Sequence, residues 1–461
     1  MAINMSHTYD LTQGKVSPII LKFFFPMLFT NMLQQIYTVS DTAIVGKGLG
    51  DNALAAVGNM SSLTFLVIGF SMGLANGFSV SIAQSFGAKD YTKLRRAIAS
   101  SLMLSAIIGI ILTTISVIFL KPILVLLQTD KLIMNESLVY GYIIFGGLIT
   151  TILYNLASGI LRALGDSKTP LIAIVISSVL NIVLNCLFIY TFKTGIGGAA
   201  VATIISQSVS AFICYLQLRK IDIIRLSSAD FALDIPLYTE LFKNGLPMAL
   251  MNSITAVGCM VVQYFVNGLG VAHTSAYSVC SKYVHLFMQP ACTAGFTMSA
   301  FTSQNYGAQK YERIRDGLHT CMKIAFVSYL IAAVVMFFFP EELASLMLNG
   351  KDRIELAAQF LPICGLAMFG VDFLFIFRSG CQGMGYPLIP MLSGITEMVM
   401  RISVIVLFVS QSGFRATAYA EAVAWFAALA LNFVAFTIIL RKKLCCDKRI
   451  YFTKKHRKIV L

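Results

Sequence analysis

Twelve apolar segments, each close to the length needed to cross a bilayer, follow one another along nearly the whole chain. A helix needs roughly 20 apolar residues to cross the hydrocarbon core, where its backbone groups must bond within the segment. Only 12% of the 461 residues are charged, about half of the fraction usual in soluble proteins. The sequence therefore predicts an all-α integral membrane protein, with spans at 17–41, 53–83, 97–120, 138–161, 171–192, 196–218, 246–268, 274–304, 318–339, 356–378, 388–410 and 416–440.

Basic residues are distributed unevenly between the predicted loops. Of the 35 Lys and Arg, 25 lie in the termini and the loops of one side, 7 in the loops of the other side and 3 within spans. This count takes Arg378 to be a loop residue. Because cytoplasmic loops carry the excess of Lys and Arg, we expect a multi-pass protein of the cell membrane with both termini in the cytoplasm. The net charge of +14 is then explained by contacts with anionic lipid, and no nucleic-acid partner is expected.

Three short motifs recur in the same order at an offset of about 220 residues. Phe-Pro-Met at 25–27 matches Leu-Pro-Met at 246–248, residues 84–91 match 304–311, and residues 158–165 match 379–385. They indicate a duplicated unit of six spans, and an even number of spans makes the halves parallel repeats about a pseudo-two-fold axis along the membrane normal. The predicted parts are a cytoplasmic N-terminal segment 1–16, an N-lobe 17–218, a cytoplasmic linker 219–245, a C-lobe 246–440 and a basic cytoplasmic tail 441–461.

The first span contains a carboxylate, Asp41, with no basic residue close by. Gln34, Tyr37 and Asp41 are spaced to lie on one face of a helix. Pro26 removes one backbone hydrogen bond upstream, which predicts a kink or hinge. An ionisable group at membrane depth costs a few kcal/mol and is a functional hypothesis by default. The alternative is that Asp41 caps the outer end of the span in water, since residues 42–47 lead into a loop.

Amide and hydroxyl side chains accompany Asp41 in the first half. Asn155 lies in the fourth span, Asn181 and Asn185 are four residues apart in the fifth, and Thr203 lies in the sixth. Each alone is explained by hydrogen bonding between helices, worth about 0.6 kcal/mol on average. Together with Asp41 they predict a polar pocket.

The second half carries a different polar set. Gln263, Lys282 and Asp372 lie in the seventh, eighth and tenth spans, and Glu397 and Arg401 are an i, i+4 pair in the eleventh. That pair has two interpretations, because it either neutralises itself or leaves Glu397 to line a cavity. Lys282 needs a carboxylate partner within the membrane, and Asp372 and Glu397 are available.

Two glycine-containing patterns in the second span have structural explanations. Residues 69–73 match G-x-S-x-G, but a nucleophile elbow requires a strand-to-helix turn and a His partner. Gly69, Gly73 and Gly77 recur every four residues, which predicts close approach of another helix. No phosphate-binding G-x-x-x-x-G-K-[ST] loop is present either. We therefore expect no enzymatic activity, no cofactor and no metal site.

As a set, these motifs resemble the multidrug and toxic compound extrusion (MATE) family. The resemblance covers about 15–440. It implies twelve helices in two six-helix lobes that form a V, and export of bulky, often cationic compounds by alternating access, driven by H⁺ or Na⁺. The residues that carry it are residues 26–46 (Pro-Met…Gln-Gln-Ile-Tyr…Asp-Thr-Ala-Ile-Val-Gly), residues 84–90, residues 162–170, Asn181 with Asn185, and their counterparts in the second half.

By this resemblance, Asp41 is similar to the carboxylate that binds the coupling ion in the DinF-type branch. Asn185 stands where that branch commonly has an acid. Asp372 resembles an acid of the NorM-type branch. Thr255 stands where that branch has its other acid. The resulting predictions are a coupling-ion site of Asp41, Asn181, Asn185 and Asp372, a substrate cavity of Gln34, Tyr37, Asn155, Thr203, Gln263, Lys282 and Glu397, and a hinge at Pro26.

We expect H⁺ rather than Na⁺ as the coupling ion, because one carboxylate among amides makes a poor all-oxygen cage. The expected partners are small-molecule substrates and the lipid bilayer, and the expected state is a monomer. One alternative is a flippase for a lipid-linked or amphipathic substrate, which would need more basic residues than Lys282 and Arg401. Another is a channel or a membrane scaffold, and a channel would need a filter-like repeat.

Overall fold

A computed structural model of the protein describes residues 10–127 and 129–459, except for the side chains of residues 39, 51, 62 and 446–459. Nearly all of this part of the chain is helical, and no strand occurs in it. The predicted all-α class is therefore confirmed.

The chain separates into two compact units. Unit 1 comprises Lys22–Ser253, and unit 2 comprises Leu11–Leu21 together with the residues from Ile254 onward. The helices up to the unit boundary are α1 Val16–Leu49, α2 Asp51–Gly87, α3 Tyr91–Leu126, α4 Lys131–Gly146, α5 Leu148–Ala163, α6 Lys168–Cys186, a π-helical segment Leu187–Thr191, α7 Gly195–Arg219, two 3₁₀ turns at Asp222–Ile224 and Ser228–Phe231, and α8 Ile235–Gly268.

Unit 2 contains the remaining helices. They are α9 Val271–Gly307, α10 Tyr311–Phe338, the short α11 Pro340–Ser345, α12 Lys351–Gly383, α13 Leu388–Ser412 and α14 Arg415–Ile459. The units divide the chain inside α8, at Ser253, whereas the sequence places a linker at 219–245. Helix α1 is divided as well, because its residues up to Leu21 belong to unit 2 and the rest belong to unit 1.

The described helices include ten that are long and apolar enough to cross a membrane. The pair α4 and α5, bent by 45° between them, counts as an eleventh span. Helix α9 has the length of α2, 37 residues, but is too polar to be counted by composition. With α9, the long helical elements correspond to the twelve predicted spans.

The first two helices of each half have equal lengths, and the turns that follow the second helix are alike. Helices α1 and α8 both have 34 residues, and α2 and α9 both have 37. After α2, Lys89 has a φ of 58°, and after α9 Gln309 has a φ of 59°. The three backbone hydrogen bonds that close each turn also join corresponding residues. The repeat therefore extends to backbone geometry.

Glycines of α2 allow close packing within unit 1, as their spacing predicts. A Cβ on Gly73 would lie 2.5 Å from the Cα of Ala249, and one on Gly77 would lie 2.4 Å from the Cα of Gly245. Both contacts are made by the part of α8 that belongs to unit 1. A larger residue at either position would separate these helices.

The segment before α1 is bound to unit 2 through its backbone. The N–H of Leu11 donates to Oε1 of Gln304 at 2.9 Å, and Nζ of Lys310 donates to the carbonyl oxygen of Thr12 at 2.8 Å. The guanidinium of Arg313 donates to the carbonyl oxygen of Gly14 at 2.8 Å. Lys310 and Arg313 therefore hold residues 11–14 in place, in addition to contributing to the excess of basic residues on one side.

The segment before α8 and the first turns of α8 are held to α3 by ion pairs instead. Nε of Arg95 lies 3.6 Å from Asp230, and Nζ of Lys93 lies 2.9 Å from Glu240. The backbone N–H and the hydroxyl of Ser227 both donate to Asp230 at 2.8 Å. These hydrogen bonds from Ser227, together with Arg95, hold the pKa of Asp230 below its ordinary value.

Candidate functional site

Helix α1 places Asp41 inside unit 1 rather than at a helix end. The helix continues to Leu49, and Asp41 is only 8% exposed. The alternative that Asp41 caps the span in water is therefore wrong.

Asp41 begins a chain of hydrogen bonds that crosses from α1 to α6 and α7. Nδ2 of Asn185 donates to Oδ1 of Asp41 at 2.5 Å and to Oδ1 of Asn181 at 2.8 Å. Nδ2 of Asn181 donates in turn to Oγ1 of Thr203 at 3.5 Å. Asn181 and Asn185 are completely buried. Four of the predicted residues thus form one contiguous polar cluster, called here the Asp41 chain.

Two tyrosines face this chain. Tyr37, one α1 turn before Asp41, interacts with both Asp41 and Thr203. Tyr140 of α4 interacts with Asp41 and Tyr37. Sequence analysis selected Tyr37 but missed Tyr140, which is one of two tyrosines near the end of α4.

The π-helical segment Leu187–Thr191 follows directly after the residues that bind Asp41. π-helical turns are rare and often mark functional places in helices. A Cβ on Gly48 of α1 would lie 2.6 Å from Cγ2 of Ile189 in this segment. Helix α1 therefore contacts the same stretch twice, through Asp41 with Asn185 and through Gly48 with Ile189.

The other predicted positions of the first half lie outside the Asp41 chain. Gln34 is exposed and Asn155 is half-buried, and no hydrogen bond among the described residues joins either side chain to Asp41. Helix α1 runs through Pro26, whose carbonyl oxygen accepts a hydrogen bond from Oγ1 of Thr30 at 2.8 Å. The hinge at Pro26 remains a prediction.

Unit 2 contains a buried network of alternating charges on α12, α13 and α14. Glu397 pairs with Arg378, and Nη2 of Arg401 lies 2.8 Å from Glu421 and 4.0 Å from Glu397. All four side chains are buried. Glu397 and Arg401, the predicted pair, are thus only the longest of three ion pairs in a larger network.

The assignment of Arg378 to a loop was wrong. Its guanidinium is buried because α12 continues five residues beyond it, to Gly383. Ser379 and Gly380, which follow the predicted span 356–378, also lie within the helix.

Asp372, Lys282 and Gln263 do not join this network. Neither carboxylate oxygen of Asp372 has a hydrogen-bond partner among the described residues. The Ser328 hydroxyl faces it but donates to the carbonyl oxygen of Phe287 at 3.4 Å. Gln263 is half-buried and donates to Oδ1 of Asn267 at 2.7 Å.

Lys282 is exposed and makes no ion pair among the described residues. The prediction that it pairs with Asp372 or Glu397 is therefore wrong, because Glu397 binds Arg378 instead.

Comparison with known proteins gives matches along nearly the whole chain. The MatE family model matches twice, at residues 26–187 and 247–407, once in each half as the repeat predicts. A Bacillus subtilis (strain 168) protein named probable multidrug resistance protein YoeA is 28% identical over 365 residues, covering 77% of this chain and 79% of that protein. The multidrug export protein MepA of Staphylococcus saprophyticus is 26% identical over 459 residues, covering 95% and 97%.

A solved structure supports the fold independently. The crystal structure of MATE in the bent conformation superposes with a TM-score of 0.88 at 23% identity, covering 95% of this chain and 98% of that one. The resemblance seen in the sequence is thereby confirmed. The chain belongs to the multidrug and toxic compound extrusion family, and it is a multi-pass membrane transporter rather than an enzyme.

Proposed function

We propose that this protein exports bulky organic compounds in exchange for protons by alternating access, with Asp41 as the proton-binding group. The names of the relatives favour multidrug export, and the excess of basic residues on one side favours a cytoplasmic position of both termini. The observation that carries the proposal is the buried Asp41 chain, because it connects one ionisable group of α1 to amides of α6.

Protonation of Asp41 changes which hydrogen bonds the chain can make. The charged carboxylate accepts the N–H of Asn185, whereas a protonated carboxyl also becomes a donor. Oδ1 of Asn185 is buried and has no partner, so it offers an acceptor for that new O–H. An unpaired buried acceptor costs about 1–3 kcal/mol, which is comparable to the roughly 1.4 kcal/mol carried by each unit of pH gradient.

The orientation of Asn185 favours a proton over sodium. Its amide nitrogen faces Asp41, and a cation site would present oxygen atoms to the ion. Proton binding requires no further ligand, whereas sodium would require the amide to turn.

Movement of α1 links proton binding to substrate release in this proposal. Pro26 supplies the hinge because it lacks the N–H that would continue the helical hydrogen bonds. Gln34 and Tyr37, on the same face as Asp41, then move with it and bind substrate, together with Asn155. Asp372 is another buried carboxylate that makes no ion pair among the described residues, and it is the alternative position for the coupled proton.

Transport by the purified full-length protein in proteoliposomes tests this proposal. Efflux of ethidium is measured under a pH gradient and, separately, under a sodium gradient. We expect the pH gradient alone to accelerate efflux, and Asp41→Asn to remove that acceleration.

Asp372→Asn is the comparison variant, because it neutralises the buried carboxylate of unit 2 that has no hydrogen-bond partner among the described residues. Undiminished proton-driven efflux in Asp41→Asn would remove Asp41 from the mechanism. Loss in Asp372→Asn alone would move the coupled proton to unit 2.

A further inference from the structure

Helix α9 carries a polar stripe along one face. Ser278, Lys282, His285 and Gln289 are spaced i, i+4, i+7 and i+11, which places them on one side of the helix. The first three are exposed, and Gln289 is half-buried. The opposite side of α9 is buried and consists of Tyr277, Val279, Cys280, Tyr283 and Val284.

No acidic side chain neutralises this stripe among the described residues. The carboxylates Glu397 and Glu421 are bound by Arg378 and Arg401, and Asp372 of α12 is completely buried and forms no ion pair with Lys282. Nδ1 of His285 hydrogen-bonds to the carbonyl oxygen of Ser281 at 2.7 Å, and the side chain is exposed. The stripe therefore presents a positive charge and polar hydrogen-bonding groups without a counter-charge.

Hydrocarbon is an unfavourable environment for such a face. Lys282 lies about 17 Å along α9 from its first residue, at 1.5 Å per residue. A lysine at membrane depth costs about 2.5–3.5 kcal/mol when it faces lipid. A helix this polar is stable in a membrane when its polar face lines a water-filled path, so the stripe indicates such a path.

The repeat shows that the charge is not needed by the architecture. The positions of α2 that correspond to the stripe by the offset of 220 are Gly58, Ser62, Phe65 and Gly69. None of them is charged, although α2 and α9 have the same length and the same terminal turn. A cation at Lys282 is thus a property of the second half alone.

We propose that Lys282, with His285 beside it, binds the carboxylate or phosphate group of a transported organic anion. This inference rests on the proposed transport function and names one class of its substrates. An ammonium group suits this role because it donates up to three hydrogen bonds and carries its charge at one point. The exporter then accepts amphiphilic anions and zwitterions in addition to cations.

Equilibrium binding of two dyes of opposite charge tests the proposal. The full-length protein is placed in phosphatidylcholine nanodiscs without any gradient, and binding of carboxyfluorescein and of ethidium is followed by fluorescence polarisation. Lys282→Gln is expected to weaken carboxyfluorescein binding at least about tenfold, since a charge-assisted hydrogen bond is lost. Lys282→Arg should retain most of the binding, and ethidium binding should remain within about twofold in both variants.

Lys351→Gln is the control, because Lys351 is an exposed lysine at the start of α12 in the same unit. Unchanged carboxyfluorescein binding in Lys282→Gln, or no carboxyfluorescein binding by the unaltered protein, would overturn the proposal. So would an effect of Lys282→Gln that occurs only when phosphatidylglycerol is added, because Lys282 would then bind a lipid headgroup.

The binding assay is independent of the driving ion. If proton-driven efflux fails while dye binding behaves as expected, the coupling proposal is wrong and this inference stands. If efflux is proton-driven and Lys282→Gln binds both dyes normally, the coupling proposal stands and this inference is wrong.

Discussion

Removing Arg401 tests whether the buried charges of unit 2 act as a coupled network. The side chain is 2% exposed, and its Nη2 is the hydrogen-bonding partner of Glu421 at 2.8 Å. Arg401→Met keeps a similar volume but leaves Glu421 buried without its counter-charge. Glu397 is affected less, because it keeps Arg378.

The size of the effect follows from desolvation. Breaking a buried ion pair by removing one partner costs about 3–5 kcal/mol, whereas replacing both partners with apolar groups is often neutral. For a unit of 150–250 residues, 1 kcal/mol shifts the Tm by about 2–4 °C. We therefore expect Arg401→Met to lower the Tm by about 6–20 °C, and the double variant Arg401→Met with Glu421→Leu to recover most of that loss.

Tryptophan fluorescence reports on this region directly. The sequence has a single tryptophan, Trp425, which is buried on α14 one turn after Glu421. Its emission during heating of the purified protein in detergent gives the Tm of unit 2. Arg353→Met serves as the control, because Arg353 is exposed and has no ion pair among the described residues.

Additive losses would refute this reasoning. If the double variant unfolds at a temperature lowered by the sum of the two single effects, Arg401 and Glu421 do not neutralise each other. A shift in Arg401→Met no larger than in Arg353→Met would lead to the same conclusion.

Two further predictions concern contacts within single units, one in unit 1 and one in unit 2. Gly48→Val is expected to reduce proton-driven ethidium efflux at least about tenfold while equilibrium ethidium binding is kept, because the added Cβ would lie 2.6 Å from Ile189. Gly58→Val, at a glycine with no atom within 4 Å of an added Cβ, is the control, and equal effects would contradict the prediction. Arg313→Ala is expected to speed amide hydrogen exchange at residues 11–14 at least about tenfold by mass spectrometry, since it removes donors to three carbonyl oxygens. Unchanged exchange would mean that the remaining contacts suffice.

Much of the fold could be predicted because its signals lie in short stretches of sequence. Apolar length gave the spans, and recurring motifs such as residues 84–91 and 304–311 gave the duplication. The i, i+4 spacing of Asn181 and Asn185 placed both on one face, and the structure shows Asn185 bonded to both Asn181 and Asp41. Patterns of this kind are set by the periodicity of a single helix.

Contacts between distant helices were harder to predict. Glu397 was considered with Arg401, its neighbour on α13, but its main partner is Arg378 of α12. Tyr140 was missed because its link with Asp41 depends on how α4 packs beside α1. The π-helical turn at Leu187–Thr191 also left no recognisable mark, since its residues are as apolar as those of an ordinary helix.

The repeat preserves backbone geometry but not side-chain chemistry, which shows where function resides. Lys89 and Gln309 adopt the same left-handed conformation although their charges differ, because the turn depends on backbone hydrogen bonds. Asp41, in contrast, corresponds to valine in the second half, whether the offset of 220 or 221 is used. A position whose charge is absent from the other copy is not required by the shared architecture. Asp41 and Lys282 both meet this criterion, as the proposed roles of a coupling-ion group and a substrate-binding group require.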